Sequence, residues 1–251
     1  MNRCGTSAGT LLGTSDGINK LRGRWHLYRP TEAAPPIPTR AVFHTAYLLR
    51  TLTARIEFLT RGGELPDSPE ACDAYVVTGS AAGVNDGHGW FESLAQFLRA
   101  ARGSARLIGI CFGHQAIAHA FGGRVVKAPQ GWGLGLTRYD LVTPIAGLGD
   151  SVTAMASHQD QVVTPPDGAD VLARTPFTPC AALSYADGDA LTLQFHPEFD
   201  AAYARALIAA HTAPDIDATL RDQATRSLDG PSDNAAIGAW LNRYLASGRA
   251  A

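Results

Sequence analysis

The segment at residues 107–123, LIGICFGHQAIAHAFGG, constrains the fold of this chain more than any other. Its opening residues are apolar, as in a buried strand, and the residues after Cys111 have the composition of a helix that a Gly-Gly pair ends. Gly109 lies two residues before Cys111, and Gly113 lies two residues after it. A sharp strand-to-helix turn crowds the backbone, so both positions favour a residue without a Cβ. The segment therefore predicts a strand–turn–helix unit with a thiol at the turn.

Strand and helix patterns alternate around this unit. We predict strands at residues 55–59, 74–78 and 106–110, and helices at residues 41–52, 90–101 and 112–121. Short apolar strands separated by helices are typical of an α/β fold, in which a mostly parallel sheet carries helices on both faces. The residues before about position 40 are weakly patterned, and their Pro-rich stretch EAAPPIPT predicts a surface loop.

The second half of the chain changes character. Short strands separated by Gly and Pro turns are predicted at residues 125–126, 137–142, 152–156, 171–173, 181–185 and 191–195. Such a series favours an antiparallel sheet edge or a small antiparallel layer beside the parallel strands. A further helix is expected at residues 201–211.

The C-terminal tail contains an apolar stripe at helical spacing, formed by Ile237, Trp240, Leu241, Tyr244 and Leu245. The sequence SDN ahead of it is expected to cap the helix. We interpret residues 1–212 as one domain and residues 213–251 as a helical extension packed on it. A helix that docks a partner protein is the alternative.

Composition excludes several classes of protein. A chain of 251 residues can bury the core of one α/β domain. Its 21 basic and 23 acidic residues leave a formal charge of −2, which argues against a nucleic-acid-binding surface. No apolar run approaches the ~18 residues of a membrane span, and the first twenty residues lack the apolar stretch of a signal peptide. We therefore expect neither a nucleic acid nor a membrane as partner, and a cytoplasmic location.

The four cysteines are scattered and include no C-x-x-C pair. Free thiols and no metal site are expected from this spacing. A lone cysteine is most often a small buried residue, but the turn context of Cys111 favours a nucleophile. A helix N-terminus stabilises the thiolate, which is the form that attacks.

A base and its orienting group are predicted at a second strand end. The strand at residues 191–195 leads directly into His196-Pro197-Glu198. His196 and Glu198 can both project into one cleft there, with the carboxylate holding one ring nitrogen while the other faces Cys111. The sequence therefore predicts a Cys111, His196 and Glu198 triad.

Three segments, GICFGHQ, SHQDQV and QFHPEF, resemble in type and order those of the class I glutamine amidotransferases. The likeness spans about residues 74–199 and is similar to the amidotransferase domain of GMP synthase and to plant γ-glutamyl peptidases. It implies a flavodoxin-like sheet, glutamine as nitrogen donor, a glutamyl-thioester intermediate and no cofactor.

The resemblance also implies roles for individual residues. Cys111 matches the nucleophile, His196 the general base and acid, and Glu198 the residue that orients it. The backbone N–H groups of Ser80 and Phe112 match the donors to the oxyanion. The remaining matches are substrate-binding positions, namely Gly79, Gln115, Ser157 and His158, the last two through their backbone.

Two positions depart from the family pattern. The family's glycine turn commonly reads Gly-Gly-Pro, whereas this chain has Gly79-Ser80-Ala81. The family also opens with a strong apolar strand, for which residues 9–14 are a poor match. The glycine-rich loop at residues 130–135 resembles a loop near the substrate cleft, although its glycines can equally bend a hairpin.

Two enzymatic hypotheses and one non-catalytic hypothesis remain. The sequence contains no G-x-x-x-x-G-K-[ST] phosphate-binding loop, so it does not itself predict a synthetase. In the first hypothesis the chain hydrolyses glutamine and delivers ammonia to a separate ATP-dependent synthetase. In the second it acts alone on γ-glutamyl compounds as a hydrolase or peptidase. In the third it is a binding module on the same scaffold, which the filled triad positions disfavour.

Overall fold

The computed structural model describes residues 24–28 and 55–59 by their backbone, and residues 65–247 apart from positions 188, 212 and 215. The predicted helix at residues 41–52, the stretch at residues 9–14 and the EAAPPIPT loop lie outside the described residues. None of the described helices is long and apolar enough to cross a membrane.

A nine-stranded mixed sheet dominates the fold, with a separate two-stranded sheet beside it. The described strands are β1 Arg24–Tyr28, β2 Arg55–Leu59, β3 Ala74–Val77, β4 Arg106–Ile110, β5 Arg124–Lys127, β6 Gly133–Leu141, β7 Ser151–His158, β8 Asp160–Thr164, β9 Ala169–Arg174, β10 Ala182–Tyr185 and β11 Ala190–Leu193. The order of the large sheet is β2-β1-β3-β4-β11-β10-β9-β6-β7, and β5 pairs with β8.

The large sheet changes direction at β11. Strands β2, β1, β3, β4 and β11 are parallel to one another. From β11 onward, the pairs with β10, β9, β6 and β7 are antiparallel. The predicted combination of parallel strands with an antiparallel layer is therefore confirmed.

The helices pack on both faces of the parallel strands, as predicted. The described α-helices are α1 Gly89–Ala101, α2 Phe112–Ala120, α3 Ala201–Ala210, α4 Ala218–Ser227 and α5 Asn234–Ala246. Successive residues of a strand point to opposite faces, and Leu107 of β4 lies in one core with α1 and α2 while Ile108 lies in a second core with α5. Both cores are buried by the same short strands.

The C-terminal helix α5 contributes to the second core. Ile237, Leu241 and Leu245 are buried there, which accounts for the apolar stripe seen in the sequence. The Arg106 guanidinium stands 4.8 Å from the centre of the Tyr244 ring, so the N-terminal end of β4 also contacts this helix. The division at residue 212 into a domain and an extension stays a prediction.

Three elements were not predicted, and one cap is wrong. Strand β1 forms within the weakly patterned N-terminal region, β8 follows β7 after a single residue, and α4 precedes α5. The side chain of Asp233 does not cap α5. Its carboxylate instead accepts a 2.7 Å hydrogen bond from the Thr153 N–H, while the Asp233 N–H donates to the Thr153 carbonyl. Asp233 therefore covers part of the edge strand β7.

Candidate active site

Cys111 lies at the junction of β4 and α2 in a strained conformation. Its φ is 53° and its ψ is −104°, and among the described residues no other non-glycine has a positive φ. Such backbone strain costs roughly 1–3 kcal/mol and persists only where the surroundings hold it. The Cys111 N–H donates to the Leu193 carbonyl at 2.8 Å, and its carbonyl accepts from the Gln115 N–H at 3.1 Å. Strand β11 and helix α2 therefore fix the thiol at the turn.

The two glycines that flank the turn permit a close approach of backbones. A Cβ at Gly109 would lie 2.5 Å from the Gly113 carbonyl oxygen, and a Cβ at Gly113 would overlap the Val77 carbonyl oxygen. Neither position can accept a side chain unless α2 moves away from β3 and β4. The packing reason given for the G-x-C-x-G spacing therefore holds in the structure.

His196 and Glu198 form a buried pair immediately after β11. The His196 Nδ1 and the Glu198 Oε1 are 2.7 Å apart, and both side chains are almost completely buried. The Phe199 ring stacks on the imidazole with 4.1 Å between ring centres, and the His196 N–H donates to the Met155 carbonyl at 2.8 Å. The other oxygen of Glu198 has no hydrogen-bond partner in the described part of the chain. The carboxylate is thus directed at the imidazole alone.

Gly79 places the end of β3 against both Cys111 and His196. A Cβ at position 79 would lie 2.9 Å from the His196 Cε1 and 3.7 Å from the Cys111 Cβ. The sulfur-bearing residue and the imidazole, predicted from distant segments, therefore meet at one point. Any side chain at position 79 would intrude between them.

The charge state of His196 follows from its neighbours. Burial acts to lower the pKa of His196, but the Glu198 carboxylate, the charge on Cys111 and hydrogen bonds to both groups raise it to about 10. The imidazole is therefore protonated at neutral pH in the resting site. A protonated imidazole beside a cysteine favours the thiolate over the thiol.

The two predicted oxyanion donors lie on either side of the thiol. Phe112 is the first residue of α2, and Ser80 lies in the loop after β3, where its Oγ accepts from the Ala82 N–H at 3.0 Å. Neither backbone N–H has a hydrogen-bond partner within the described ranges. Both are available to a ligand oxygen, although their role as an oxyanion hole stays a prediction.

Gln115 is buried and hydrogen-bonded inside the protein. Its Nε2 donates to the Asp160 carbonyl at 2.7 Å and lies 3.3 Å from the Gln194 Oε1. The Gln194 Nε2 in turn donates to the Cys111 sulfur at 3.6 Å. Gln194 was missed by sequence reasoning. Its position two residues before His196 near a strand end was the available signal, because alternate residues of an extended chain share a face.

Ser157 and His158 end strand β7 next to the thiol. The Ser157 carbonyl oxygen is 3.9 Å from the Cys111 sulfur. Both ring nitrogens of His158 have partners, the Asp160 carbonyl at 3.1 Å and the Thr178 hydroxyl at 3.4 Å. Burial lowers the pKa of His158 to about 4, so its ring is neutral. Any substrate contact at these two positions would use the backbone of β7, as the prediction states.

The glycine-rich loop lies beside this strand end. A Cβ at Gly133 would lie 2.9 Å from the Phe177 ring and 3.0 Å from the His158 Nε2. The Trp132 ring meets His211 edge to face, with 4.4 Å between ring centres. The loop therefore packs around His158, and its contact with a substrate stays a prediction.

The remaining candidates are structural. Cys72 and Cys180 are buried free thiols. His114 is fully buried on α2 with its Nδ1 2.8 Å from the Thr192 hydroxyl, and burial lowers its pKa to about 3. No group of three or more potential metal ligands occurs among the residues that the structure describes.

A family model described as "Glutamine amidotransferase class-I" matches residues 49–211, which is more than half of the chain and includes the whole site described above. The chain belongs to the class I glutamine amidotransferase family. The resemblance inferred from the three sequence segments is thereby confirmed, and with it the α/β fold class.

Individual relatives agree with this assignment. The chain is 25% identical over 184 residues to a glutamine amidotransferase-like protein of Schizosaccharomyces pombe, covering 69% of this chain and 72% of that protein. Over 93 residues it is 42% identical to the glutamine-hydrolyzing GMP synthase of Thermus thermophilus, covering 37% of this chain and 18% of that enzyme. The chain therefore matches less than a fifth of the length of this second relative.

A solved structure shares the fold. The glutamine amidotransferase of Methylobacillus flagellatus superposes with a TM-score of 0.65 at 19% identity, covering 89% of this chain and 92% of that chain. The family's architecture thus extends beyond the segment of highest sequence similarity.

Proposed function

We propose that the chain hydrolyses the γ-amide of glutamine and that Cys111, His196 and Glu198 carry out the reaction. The observation that carries this proposal is the meeting of three groups from separate segments. These are a cysteine at a strained helix N-terminus, a buried imidazole beside it, and a carboxylate 2.7 Å from the far side of that imidazole. A nucleophile, a base and an orienting group in contact are the signature of covalent acyl transfer.

The reaction begins with attack of the Cys111 thiolate on the δ-carbonyl carbon of glutamine. A C–S bond forms, and the carbonyl π electrons move to the oxygen. His196, protonated in the resting site, gives its proton to the leaving nitrogen as the C–N bond breaks. Ammonia leaves, and a glutamyl thioester remains on Cys111.

Hydrolysis of the thioester uses the same imidazole in the opposite sense. Neutral His196 takes a proton from water as the water oxygen attacks the thioester carbonyl. The C–S bond breaks, the sulfur recovers its electron pair and glutamate is released. Glu198 keeps one ring tautomer and orientation throughout, because its oxygen holds Nδ1 and leaves Nε2 for the reacting groups.

The carbonyl oxygen of each tetrahedral intermediate is assigned to the unpaired N–H groups of Ser80 and Phe112. Phe112 adds the partial positive charge of the α2 N-terminus. The α-amino and α-carboxylate groups of glutamine are assigned to the backbone at Ser157 and His158, whose strand ends beside the sulfur. The Gly79 turn then forms the wall of the site opposite β7.

We further propose that ammonia is delivered to a separate ATP-dependent synthetase. The relatives named glutamine-hydrolyzing GMP synthase support this proposal, because that name joins glutamine hydrolysis to a synthase. This acceptor is the finer part of the proposal.

Ammonia release from glutamine, compared with hydrolysis of γ-glutamyl dipeptides, tests the proposed substrate. We expect steady-state turnover of glutamine by the wild type and none by Cys111→Ala at equal folded concentration. Strong dipeptide turnover with negligible ammonia release from glutamine would assign the chain to the γ-glutamyl peptidase reaction instead. Turnover retained by Cys111→Ala would exclude the covalent mechanism altogether.

A further inference from the structure

A neutral side-chain amide is directed at the sulfur of Cys111 from inside the protein. The Gln194 Nε2 lies 3.6 Å from the Cys111 Sγ, within the range of a hydrogen bond to sulfur. We infer that Gln194 donates this hydrogen bond to the thiolate and thereby holds the sulfur in its charged, attacking form. The inference rests on the proposed function only in taking Cys111 as the nucleophile.

The orientation of this amide is fixed by a chain of hydrogen bonds. A backbone carbonyl can only accept, so the Asp160 carbonyl requires the nitrogen end of the Gln115 amide at 2.7 Å. That nitrogen also faces Gln194 at 3.3 Å, so Gln194 must present its oxygen there. The nitrogen of Gln194 is then the end that remains for the sulfur. The polarity at Cys111 is thus set by a main-chain group two residues along the relay.

Burial makes the donor strong. Gln194 is completely buried, and its backbone N–H donates to the Ala181 carbonyl at 2.8 Å, which anchors the residue beside β10. A buried amide cannot exchange its partner for water, and hydrogen bonds to an ionised partner are about twice as strong as neutral ones. The contact therefore stabilises the thiolate more than the thiol.

Other groups around the sulfur act in both directions. His196 faces it from the end of β11 and supplies the positive charge. Tyr139 of β6 is the other titratable neighbour, and burial together with the charge on Cys111 raises the pKa of its hydroxyl, so Tyr139 stays neutral. The Ser157 carbonyl, 3.9 Å from the sulfur, accepts from a thiol and repels a thiolate. Gln194 opposes Ser157 as the neutral donor at this point.

The donor would act at both ends of the reaction. During attack, the electron pair of the sulfur becomes the C–S bond and negative charge moves to the substrate oxygen. During hydrolysis of the thioester, the C–S bond breaks and the pair returns to the sulfur. A fixed N–H at the sulfur stabilises it as the leaving group in this second step, without itself gaining or losing a proton.

The pH dependence of Cys111 alkylation by iodoacetamide tests this inference, with the modified peptide located by mass. Gln194→Met removes the donor at similar volume. Its matched control is Gln161→Met, since Gln161 is also buried, at 2% exposure, but lies on β8. We expect the alkylation midpoint of Gln194→Met to rise by about one pH unit, equivalent to a tenfold change in the thiol–thiolate equilibrium. Gln161→Met should keep the wild-type midpoint.

A second variant covers the case in which Gln194→Met does not fold. Gln194→Glu is nearly isosteric and places a carboxylate at the sulfur, so its midpoint should rise at least as far. An unchanged midpoint in either folded variant would overturn the inference and leave Gln194 as a packing residue. Alkylation requires no substrate, so this result is independent of whether the wild type hydrolyses glutamine.

Discussion

At the scale of single residues, the central feature is the strain stored at Cys111. Its φ of 53° belongs to a region that glycine adopts readily and that a Cβ disfavours. The strain is compensated by the backbone hydrogen bonds of Cys111 to β11 and α2. Because the strain serves to lift the thiol out of the turn, stability and reactivity should conflict at this position.

We predict that Cys111→Gly is more stable than Cys111→Ala. Both variants remove the sulfur and its interaction with His196, so the difference between them isolates the Cβ. Relief of the strained φ is expected to outweigh the extra chain entropy of glycine by about 1 kcal/mol. Urea denaturation of both proteins measures this difference. A Cys111→Ala variant at least as stable as Cys111→Gly would show that the turn is not strained.

The residues that sequence reasoning located share one property, which is that their role is local. Cys111 is recognisable because its flanking glycines and apolar strand are contiguous, and His196 with Glu198 because they follow a strand end within three residues. Gln194 was not recognised, because its contact with Cys111 depends on the neighbouring position of β4 and β11 in the sheet. Tertiary contacts of this kind leave no periodic signal in one sequence.

At the scale of elements, the loop after β3 shapes the site through Gly79. We predict that Gly79→Ala lowers the kcat of glutamine hydrolysis by at least tenfold, because its Cβ would lie 2.9 Å from the His196 Cε1 and displace the ring. Gly89→Ala is the matched control, since a Cβ at Gly89 meets nothing within 4 Å. Steady-state kinetics with thermal unfolding of both variants would test this. Equal activity of the two alanine variants would remove Gly79 from the site.

The elements that were predicted correctly have strong apolar patterns, and those that were missed do not. Helix α4 buries only Ala224 among its ten residues, so it carries no apolar stripe. Its N-terminus is fixed instead by Asp217, which accepts a 2.7 Å hydrogen bond from the Leu220 N–H. Strand β8 begins one residue after β7, and the motif SHQDQV was interpreted as a single loop. Short polar elements are specified by what they pack against.

At the scale of the whole molecule, three buried histidines govern how stability depends on pH. His114 and His158 have their pKa lowered by burial to about 3 and about 4, so they remain neutral in the folded protein while the unfolded chain binds protons below about pH 6.5. Stability is therefore lost as the pH falls from about 6.5. His196 has its pKa raised to about 10, so its contribution is complete below about pH 6.5 and is lost as the pH rises towards 10.

We predict a maximum in the free energy of unfolding near pH 6.5, with a decline on both sides. Each histidine contributes a slope of at most about 1.4 kcal/mol per pH unit within its own range. Urea denaturation across this pH range measures the curve. His114→Asn should flatten the acid side and leave the alkaline side unchanged. A stability that rises steadily from pH 7 to pH 10 would contradict the assigned state of His196.

The central claim is that Cys111 is a nucleophile activated by His196 for attack on a γ-glutamyl carbonyl. Labelling by a diazo-ketone analogue of glutamine, followed by mass analysis of the peptide that contains Cys111, tests it most directly. We predict one adduct per chain, located on Cys111, protected by glutamine and strongly slowed in His196→Ala. Absence of an adduct on Cys111 in the folded wild type, or labelling that is unaffected by His196→Ala, would contradict the account.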